Sequence, residues 1–472
     1  MKIGLVDPRT TPLAEESFPQ LGIGYLAAAV TQDVSLLRVL DRRTASREEE
    51  EAFLAERFDA VGISAASFTF RDALAFGRAV KARRPQTRVV LGGPHVSVTL
   101  ADSLAEGVGD LAVYGEGEAT FADLVRRWRT SGTQDRPASV PGLIYPEEDR
   151  FVRTPPRPPL ADLDAIPFPA FHLFPMQAYS SYPLMTSRGC PFRCVYCCCH
   201  LLWGKKPRFR SAENILSEIR YARERFHWKG KPFLVLDDTF NLQPGRVEAF
   251  CEGLLREHLD ITYHVWGFRA DLAPMEMIRK LKASGCLSVS MGIESADPDV
   301  LRRIRKGESL AQIVETLRNL RKAGIHAMCL FMIGNPGDTL QSTRETLRFA
   351  KKERIYLMAF NMALPYPGTE LWDFVQSSGR FLHKDFTRFH HYSTEPVFET
   401  DDFTAEERTR AFLMARRFER TQRIKFEVLR KVDALRRGEF RTLSWDKVYR
   451  AARRLGRYVI DLTLDRNRTE KL

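Results

Sequence analysis

Twice along this chain, short apolar runs alternate with amphipathic stretches, and that alternation restricts the fold more than any other feature. Residues 1–130 carry KIGLVD (2–7), SLLRVL (35–40), DAVGIS (59–64), TRVVLG (87–92) and DLAVY (110–114). These read as buried parallel strands, with GYLAAAVTQ (24–32), FRDALAFGRAVKAR (70–83) and ATFADLVRRW (119–128) as helices between them. Strand–helix alternation at this spacing predicts a doubly wound, Rossmann-like α/β domain that binds ligands beyond the C-terminal ends of its strands. Small or polar loops stand at those ends: Ser64 to Thr69, Gly92-Gly93-Pro94-His95 and Gly115-Glu116-Gly117-Glu118. Residues 131–180 are rich in Pro, Asp and Arg without clear periodicity, and read as a linker wrapping the surface.

Residues 181–395 repeat the rhythm. YPLMTSR (182–188), PFLVLDD (232–238), ITYHVWGFR (261–269), CLSVSMGIE (286–294), HAMCLFMIG (326–334) and YLMAFNMAL (356–364) are strand candidates, each separated from the next by a helical pattern. Six β/α units in series predict a partial (β/α)6 barrel with its chemistry at the C-terminal strand ends. Residues 396–472 form a basic helical segment whose apolar positions fall at helical spacing, which predicts one buried stripe. The formal charge is +12, and from Thr404 onward twenty Lys and Arg stand against ten Asp and Glu. That surplus suits a solvated helix face, an anionic membrane surface, a carrier protein or an acidic substrate. Nucleic acid is not expected, because no RNA-binding motif accompanies the charge.

With 44% hydrophobic and 28% charged residues the composition is that of a folded globular protein. No run approaches the roughly 18 apolar residues of a spanning helix. The start, MKIGLVDPRT, lacks the apolar segment of a signal peptide. The expectation is a cytoplasmic enzyme, with peripheral contact at the inner membrane face through the basic C-terminal helices as a further option.

Five of the eight cysteines fall within ten residues, at 190, 194, 197, 198 and 199, a clustering that points to metal binding in a reducing compartment. The segment TSRGCPFRCVYCCCH presents C-x-x-x-C-x-x-C directly after the first strand of the second series. A 4Fe–4S cube needs four ligands. Cys190, Cys194 and Cys197 on one loop bind three irons and leave the fourth open to the amino and carboxylate groups of a small molecule, as S-adenosylmethionine offers. Electron transfer into its sulfonium then releases a 5′-deoxyadenosyl radical. A zinc site is the competing reading, but Cys251, Cys286 and Cys329 do not supply a second C-x-x-C pair. Cys198 as a slipped ligand stays open, and no role for Cys199 follows.

The loop resembles that of the radical S-adenosylmethionine superfamily, whose aromatic residue before the third cysteine is matched by Tyr196. RFRSAENILSEI, LDDTF, GFRADL, MGIES, FMIGNPGDT and LPYPGTEL resemble that family's successive motifs in order, over residues from about 180 to 375. The resemblance implies S-adenosylmethionine contacts at Tyr196, Asp237, Asp238, Arg269, Gly292, Glu294 and Gly334. Asp237 and Asp238 end an apolar strand, where a carboxylate can take the methionine ammonium. Gly292 and Gly334 let a ligand approach the backbone, and Arg269 can pair with a carboxylate. Asp237, Arg269 and Glu294 also read as barrel-rim ion pairs.

Joined to such a barrel, the first domain resembles a cobalamin-binding domain, through FPQLGIGYLAAAV (18–30), LGGPHVSV and YGEGE. The candidate contacts are Gly22, Ser64, Ser67, Thr69, Gly92, Gly93, His95, Gly115 and Glu116. The loop after the first strand, VDPRTTPLAEESFPQLG, holds no histidine to ligate cobalt. The loop from Ser64 to Phe70 is the candidate for the cobalt's lower side, and His95 reads as a corrin-amide contact or a cobalt ligand. A plain α/β module without cobalamin is the alternative. The whole is similar to class B radical S-adenosylmethionine methyltransferases. That implies methylation of an unactivated carbon of a small-molecule or lipid substrate through a 5′-deoxyadenosyl radical and methylcobalamin, with an external electron donor such as flavodoxin or ferredoxin. Oxidative cyclisation or rearrangement with the same cofactors, or a non-catalytic sensor, are the competing functions.

Overall fold

In the computed structural model, which describes residues 1–9, 17–135, 137–391 and 393–436, two large sheets carry the chain. The first holds β1 (Lys2–Asp7), β2 (Leu36–Asp41), β3 (Ala60–Ser64), β4 (Arg88–Gly92), β5 (Leu111–Val113), β6 (Leu143–Glu147) and β7 (Arg150–Arg153). Their order is β2-β1-β3-β4-β5-β6-β7. Strands β1 to β5 run parallel, with Ile3 opposite Ala60 and Leu91 opposite Ala112. The chain reverses its winding between β1 and β3, and ligands of doubly wound folds bind in the crevice that such a reversal opens.

The hairpin of β6 and β7 departs from the expectation of an unstructured linker. Both strands pair antiparallel and extend the sheet. Pro146 inside the run obscured it, since proline removes a ladder donor. The structure tolerates Pro146 because β5 pairs only with Leu143 and Ile144, so β6 has already passed the end of that neighbour. The rest of 131–180 is also more than a wrap. Phe171, Phe174, Met176 and Tyr179 are buried in one continuous apolar core that joins β1 to the second sheet. Phe171 meets Tyr182 edge-on at 5.2 Å. Helix Leu21–Val30 lies so close to it that a Cβ on Gly24 would sit 2.6 Å from the Phe171 ring.

The second sheet holds six parallel strands: β8 (Tyr182–Leu184), β11 (Phe233–Leu236), β12 (Tyr263–Trp266), β13 (Cys286–Glu294), β14 (His326–Ile333) and β15 (Leu357–Met362). Between β8 and β11 comes a small antiparallel ribbon of β9 (Ser187–Arg188) and β10 (Arg208–Phe209). The order is β15-β14-β13-β12-β11-β8, without pairing of β15 to β8, so the barrel is open as expected. Helix Ala405–Arg436 covers the β15 edge and buries Arg408, Ala411, Phe412, Ala415 and Gln422. Ala411, Phe412 and Ala415 lie on the apolar stripe that the helical spacing predicts, polar Arg408 and Gln422 are buried with them, and Leu413 and Leu429 stay exposed. Glu419 Oε2 accepts from the Phe360 backbone N–H at 3.4 Å. The basic segment from 437 onward and loop residues 10–16 lie outside the described residues. Among the described residues no helix is long and apolar enough to cross a membrane.

Phe171→Ala removes a fully buried ring from the apolar core that joins the two sheets. It should lower unfolding stability by about 3–5 kcal/mol, read as a shifted urea midpoint. An unchanged midpoint would show that this segment does not join the two cores.

Candidate functional site

The C-terminal ends of both sheets meet at one cavity of about 430 Å³. On the first sheet its wall includes Leu5, Gly62 and Ser64 at the β1/β3 reversal, with Gly22, Gly92, Gly93, Gly115 and Glu116. The opposite wall includes Arg188, Trp203, Asp237, Asp238 and Trp266. Gly93 sits at φ +92°, where a Cβ would come within 2.8 Å of the Ala65 backbone. Gly115 sits at φ +74° with open space around its missing side chain. A rim stripped of side chains at Gly92, Gly93 and Gly115 lets a broad, flat ligand lie against backbone.

Three of the expected cobalamin contacts do not line this cavity. His95 is buried, with Nδ1 3.0 Å from Ser67 Oγ and its ring 4.0 Å from that of Phe70. Burial pushes its pKa down to about 4, so it is a neutral core histidine. Thr69 Oγ1 accepts from Ala66 N–H at 3.0 Å and serves the turn. The hydroxyl of Ser67 and Nδ1 of His95 engage each other away from the cavity wall. Glu116 lines the cavity, but its carboxylate is engaged by Arg188, Arg208 and the Leu160 N–H.

The cysteine loop lies directly beyond β9. Gly189 N–H donates to Asp238 Oδ2 at 2.8 Å, and Cys190 Sγ stands 3.3 Å from Thr239 Oγ1. Val195 N–H donates to Ile304 O at 3.1 Å and its carbonyl accepts from Leu371 N–H at 2.9 Å, which ties the loop to helices Pro298–Arg303 and Glu370–Ser378. Cys190, Cys194 and Cys197 are free thiols and partly exposed, whereas Cys199 is buried. Cys199 N–H donates to Cys197 Sγ at 3.4 Å. Hydrogen bonding from Cys199 holds the Cys197 thiol below its ordinary range, while burial pushes Cys194 up to about 11 and Cys198 up to about 12. Among the described residues no three His, Cys, Asp or Glu side chains converge on one metal ion. A cube presents a separate iron to each thiolate, so its cysteines stand further apart than the ligands of a single ion.

Around this loop the expected rim residues have distinct fates. Asp237 accepts from Thr186 N–H (2.7 Å), Ser187 N–H (3.1 Å), Ser187 Oγ (2.7 Å) and Thr186 Oγ1. Arg246 lies 3.8 Å away, and the Asp237 side chain is fully enclosed. Asp237 therefore has no capacity left for an ammonium and anchors β8 to β11 instead, the rim ion pair of the two readings. Asp238 keeps an open side, and desolvation raises its pKa.

Glu294 sits at φ +66° where the β13–β14 register shifts, and the bulge aims its carboxylate. It accepts from Tyr196 Oη at 2.9 Å and Lys306 Nζ at 3.3 Å. A Cβ on Gly292 would fall 2.3 Å from Glu294 Oε1 and 3.0 Å from Lys306 Nζ, so a side chain there would displace this carboxylate from its ammonium partner. The Arg269 guanidinium lies 3.5 Å over the Phe192 ring, pairs with Asp271 at 2.9 Å and donates to Lys306 O at 3.1 Å. Gly334, at φ +98°, donates its N–H to Asp338 Oδ2 at 2.9 Å, and its carbonyl accepts from Arg408 Nη1 at 3.1 Å. Sequence reasoning missed Lys306, Arg188, Arg208 and Arg408.

The donor set fits the groups that these loops suggest. Three thiols on one loop suit a cluster, the open carboxylate of Asp238 suits an ammonium, and the glycine rim suits a corrin. Residues 184–350 match the radical SAM superfamily model and residues 14–125 the B12 binding domain. The chain is 33% identical over 420 residues to uncharacterized methyltransferase PH0819 of Pyrococcus horikoshii, covering 86% of this chain and 90% of that one. This protein belongs to the cobalamin-binding radical S-adenosylmethionine enzymes. Its cofactors are a 4Fe–4S cluster, S-adenosylmethionine and cobalamin. The chain is also 25% identical to the anaerobic magnesium-protoporphyrin IX monomethyl ester cyclase of Rubrivivax gelatinosus, over 74% of this chain and 64% of that enzyme. In fold it is similar to the radical S-adenosylmethionine methyltransferase TsrM of Kitasatospora setae, with a TM-score of 0.66, 18% identity, and 80% and 77% of the two chains covered.

The buried His95 has a measurable signature in this enzyme. Its folded pKa of about 4 lies below the ordinary value of 6.5, so the unfolded chain takes up the proton first as pH falls. Stability is thus lost as pH drops below the ordinary value and levels off below the folded one. Between about pH 7 and about pH 5 this group should cost the wild type about 2 kcal/mol that His95→Gln does not lose. Parallel pH dependences of the two urea midpoints would contradict a buried neutral histidine.

Proposed function

We propose that this enzyme transfers a methyl group from S-adenosylmethionine, by way of cobalamin, to a carbon of a small-molecule or lipid substrate held between the two sheets. The observation that carries the reading is the cavity between the sheets: Asp238 and the β9 strand that leads into the cysteine loop bound one side, and the glycine rim of the first sheet bounds the other. When bound, the cluster and cobalamin supply one-electron reduction of the sulfonium and carriage of the methyl group.

The protein's own residues do the rest. Cys190, Cys194 and Cys197 hold the cluster. Asp238 takes the ammonium of the methionine moiety, while Glu294 (itself held by Tyr196 and Lys306) and Arg269 position the remainder beside Gly292 and Gly334. Gly22, Ser64, Gly92, Gly93 and Gly115 present backbone to the corrin, and the apolar walls exclude water from the radical. Electrons come from an external one-electron donor of the flavodoxin or ferredoxin type.

Methylation is favoured by the relative over most of the chain that bears a methyltransferase name. The similarity to a cyclase supports a second reading, in which the same radical drives ring closure without methyl transfer. S-adenosylmethionine with a deuterated methyl group distinguishes them. The methyl-transfer reading expects label in the product, and unlabelled product beside accumulating 5′-deoxyadenosine would overturn it.

The ligand assignment has its own test. Alanine at Cys190, Cys194 or Cys197 should abolish cluster assembly in the anaerobically reconstituted protein, whereas Cys198→Ala should retain it. Loss of the cluster in Cys198→Ala with retention in Cys197→Ala would move the third ligand by one residue.

A further inference from the structure

The junction of the two sheets contains four buried charges that cofactor binding does not use. Arg188, on β9, is two residues before Cys190. Its Nη1 lies 3.3 Å from Glu116 Oε2, and its Nη2 pairs with Glu118 Oε1. Arg208, the β10 residue opposite Arg188, pairs with Glu116 Oε1. The four side chains are between 2% and 12% exposed. Arg208 Nη1 also donates to Leu160 O at 2.6 Å, and Leu160 N–H donates to Glu116 at 3.3 Å, so the connecting segment joins the same network.

Glu116 and Glu118 belong to the first sheet. They follow Gly115 at the end of β5 and open helix Gly117–Ser131. Arg188 and Arg208 belong to the ribbon that leads into the cysteine loop. The Arg188 guanidinium is further confined by the rings of Trp203 at 5.0 Å and Tyr25 at 5.5 Å, and its Nε donates to Met185 Sδ at 2.9 Å. Arg188, Glu116 and Glu118 all line the cavity wall.

Buried ion pairs are poor sources of net stability, because desolvation consumes most of the Coulomb gain. What four mutually paired charges do provide is a single geometry: sliding either sheet by a fraction of a side chain leaves a charge buried and alone. An arginine fork accepted by two carboxylates is directional in a way that apolar contacts are not.

We infer that the Arg188–Glu118 and Arg208–Glu116 pairs are a positioning device that sets the separation between the cobalt and the iron–sulfur cluster by locking the Gly115–Glu118 loop to the base of the cysteine loop. The inference rests on the cofactor assignment above. Arg188, Arg208, Glu116 and Glu118 are positioning residues here, and none of them touches a reacting atom. Such a lock matters because the substrate has to meet both cofactors, and misplacement by about 1 Å costs a reaction of this kind about a hundredfold.

The test is the distance between the two paramagnets, cobalt(II) in bound cobalamin and the reduced cluster, read by pulsed dipolar electron spin resonance on the holoenzyme without substrate. Wild type should give one narrow distribution. Glu118→Gln keeps the shape of the side chain and removes its charge, and should broaden or shift the distribution by about 1 Å or more. If Glu118→Gln does not load both cofactors, the double variant Arg188→Met with Glu118→Met leaves no lone buried charge, and the same broadening is expected of it. A distribution identical to wild type in a fully loaded variant overturns the positioning role. Failure of the wild type itself to load cobalamin or cluster, seen in its metal content before any distance is measured, overturns the cofactor assignment instead and the lock with it.

Discussion

Parallel strands bury both faces of a sheet, so the only place left for chemistry is the edge where the strands end. In this chain two such edges point at each other, and a buried set of ion pairs crosses the gap between them. Arg188 and Arg208 reach from the ribbon before the cysteine loop to Glu116 and Glu118 at the end of β5. Phe171 and Tyr179 carry the apolar core across the same gap. The cavity is thus a consequence of how the two sheets are joined, and not a property of either alone.

The rim itself is stiffened by mutual satisfaction. Asp237 is saturated by the Thr186 and Ser187 donors, Glu294 is held by Tyr196 and Lys306, and Arg269 is braced by Asp271, the Lys306 carbonyl and the Phe192 ring. Gly334 is held by Asp338 on its N–H and by Arg408 on its carbonyl. Arg408 lies on the C-terminal helix, well outside the six strand–helix units, so the helix that covers the β15 edge also shapes a strand end. Preorganisation of this kind leaves backbone at Gly292 and Gly334 in place before a ligand arrives.

The strands were legible because buried parallel strands are dominated by apolar residues, as at FLVL, and the helices because their apolar residues repeat at helical spacing, as at FRDALAFGRAVKAR. The hairpin of β6 and β7 was hidden by Pro146, whose missing donor costs nothing once β6 has outrun β5. Strand-end positions were equally legible as positions, and Gly92, Gly93, Gly115 and Asp238 do line the cavity. What the spacing could not tell was which way each side chain turns. His95, Ser67 and Thr69 stand in the expected loops but point into packing, and Asp237 and Glu116 reach the cavity wall only to be taken by protein donors. Those outcomes depend on partners distant in sequence, such as Arg208 for Glu116 and Thr186 for Asp237, which no local pattern announces.

The central claim is that one chain holds a cluster on its cysteine loop and cobalamin on the facing sheet at the same time. Iron, sulfide and cobalt analysis of the anaerobically reconstituted chain, repacked and washed free of unbound cofactor, tests it most directly. About four iron, about four sulfide and about one cobalt per chain are expected. Iron without sulfide, or cobalt that washes away while the cluster stays, would contradict it.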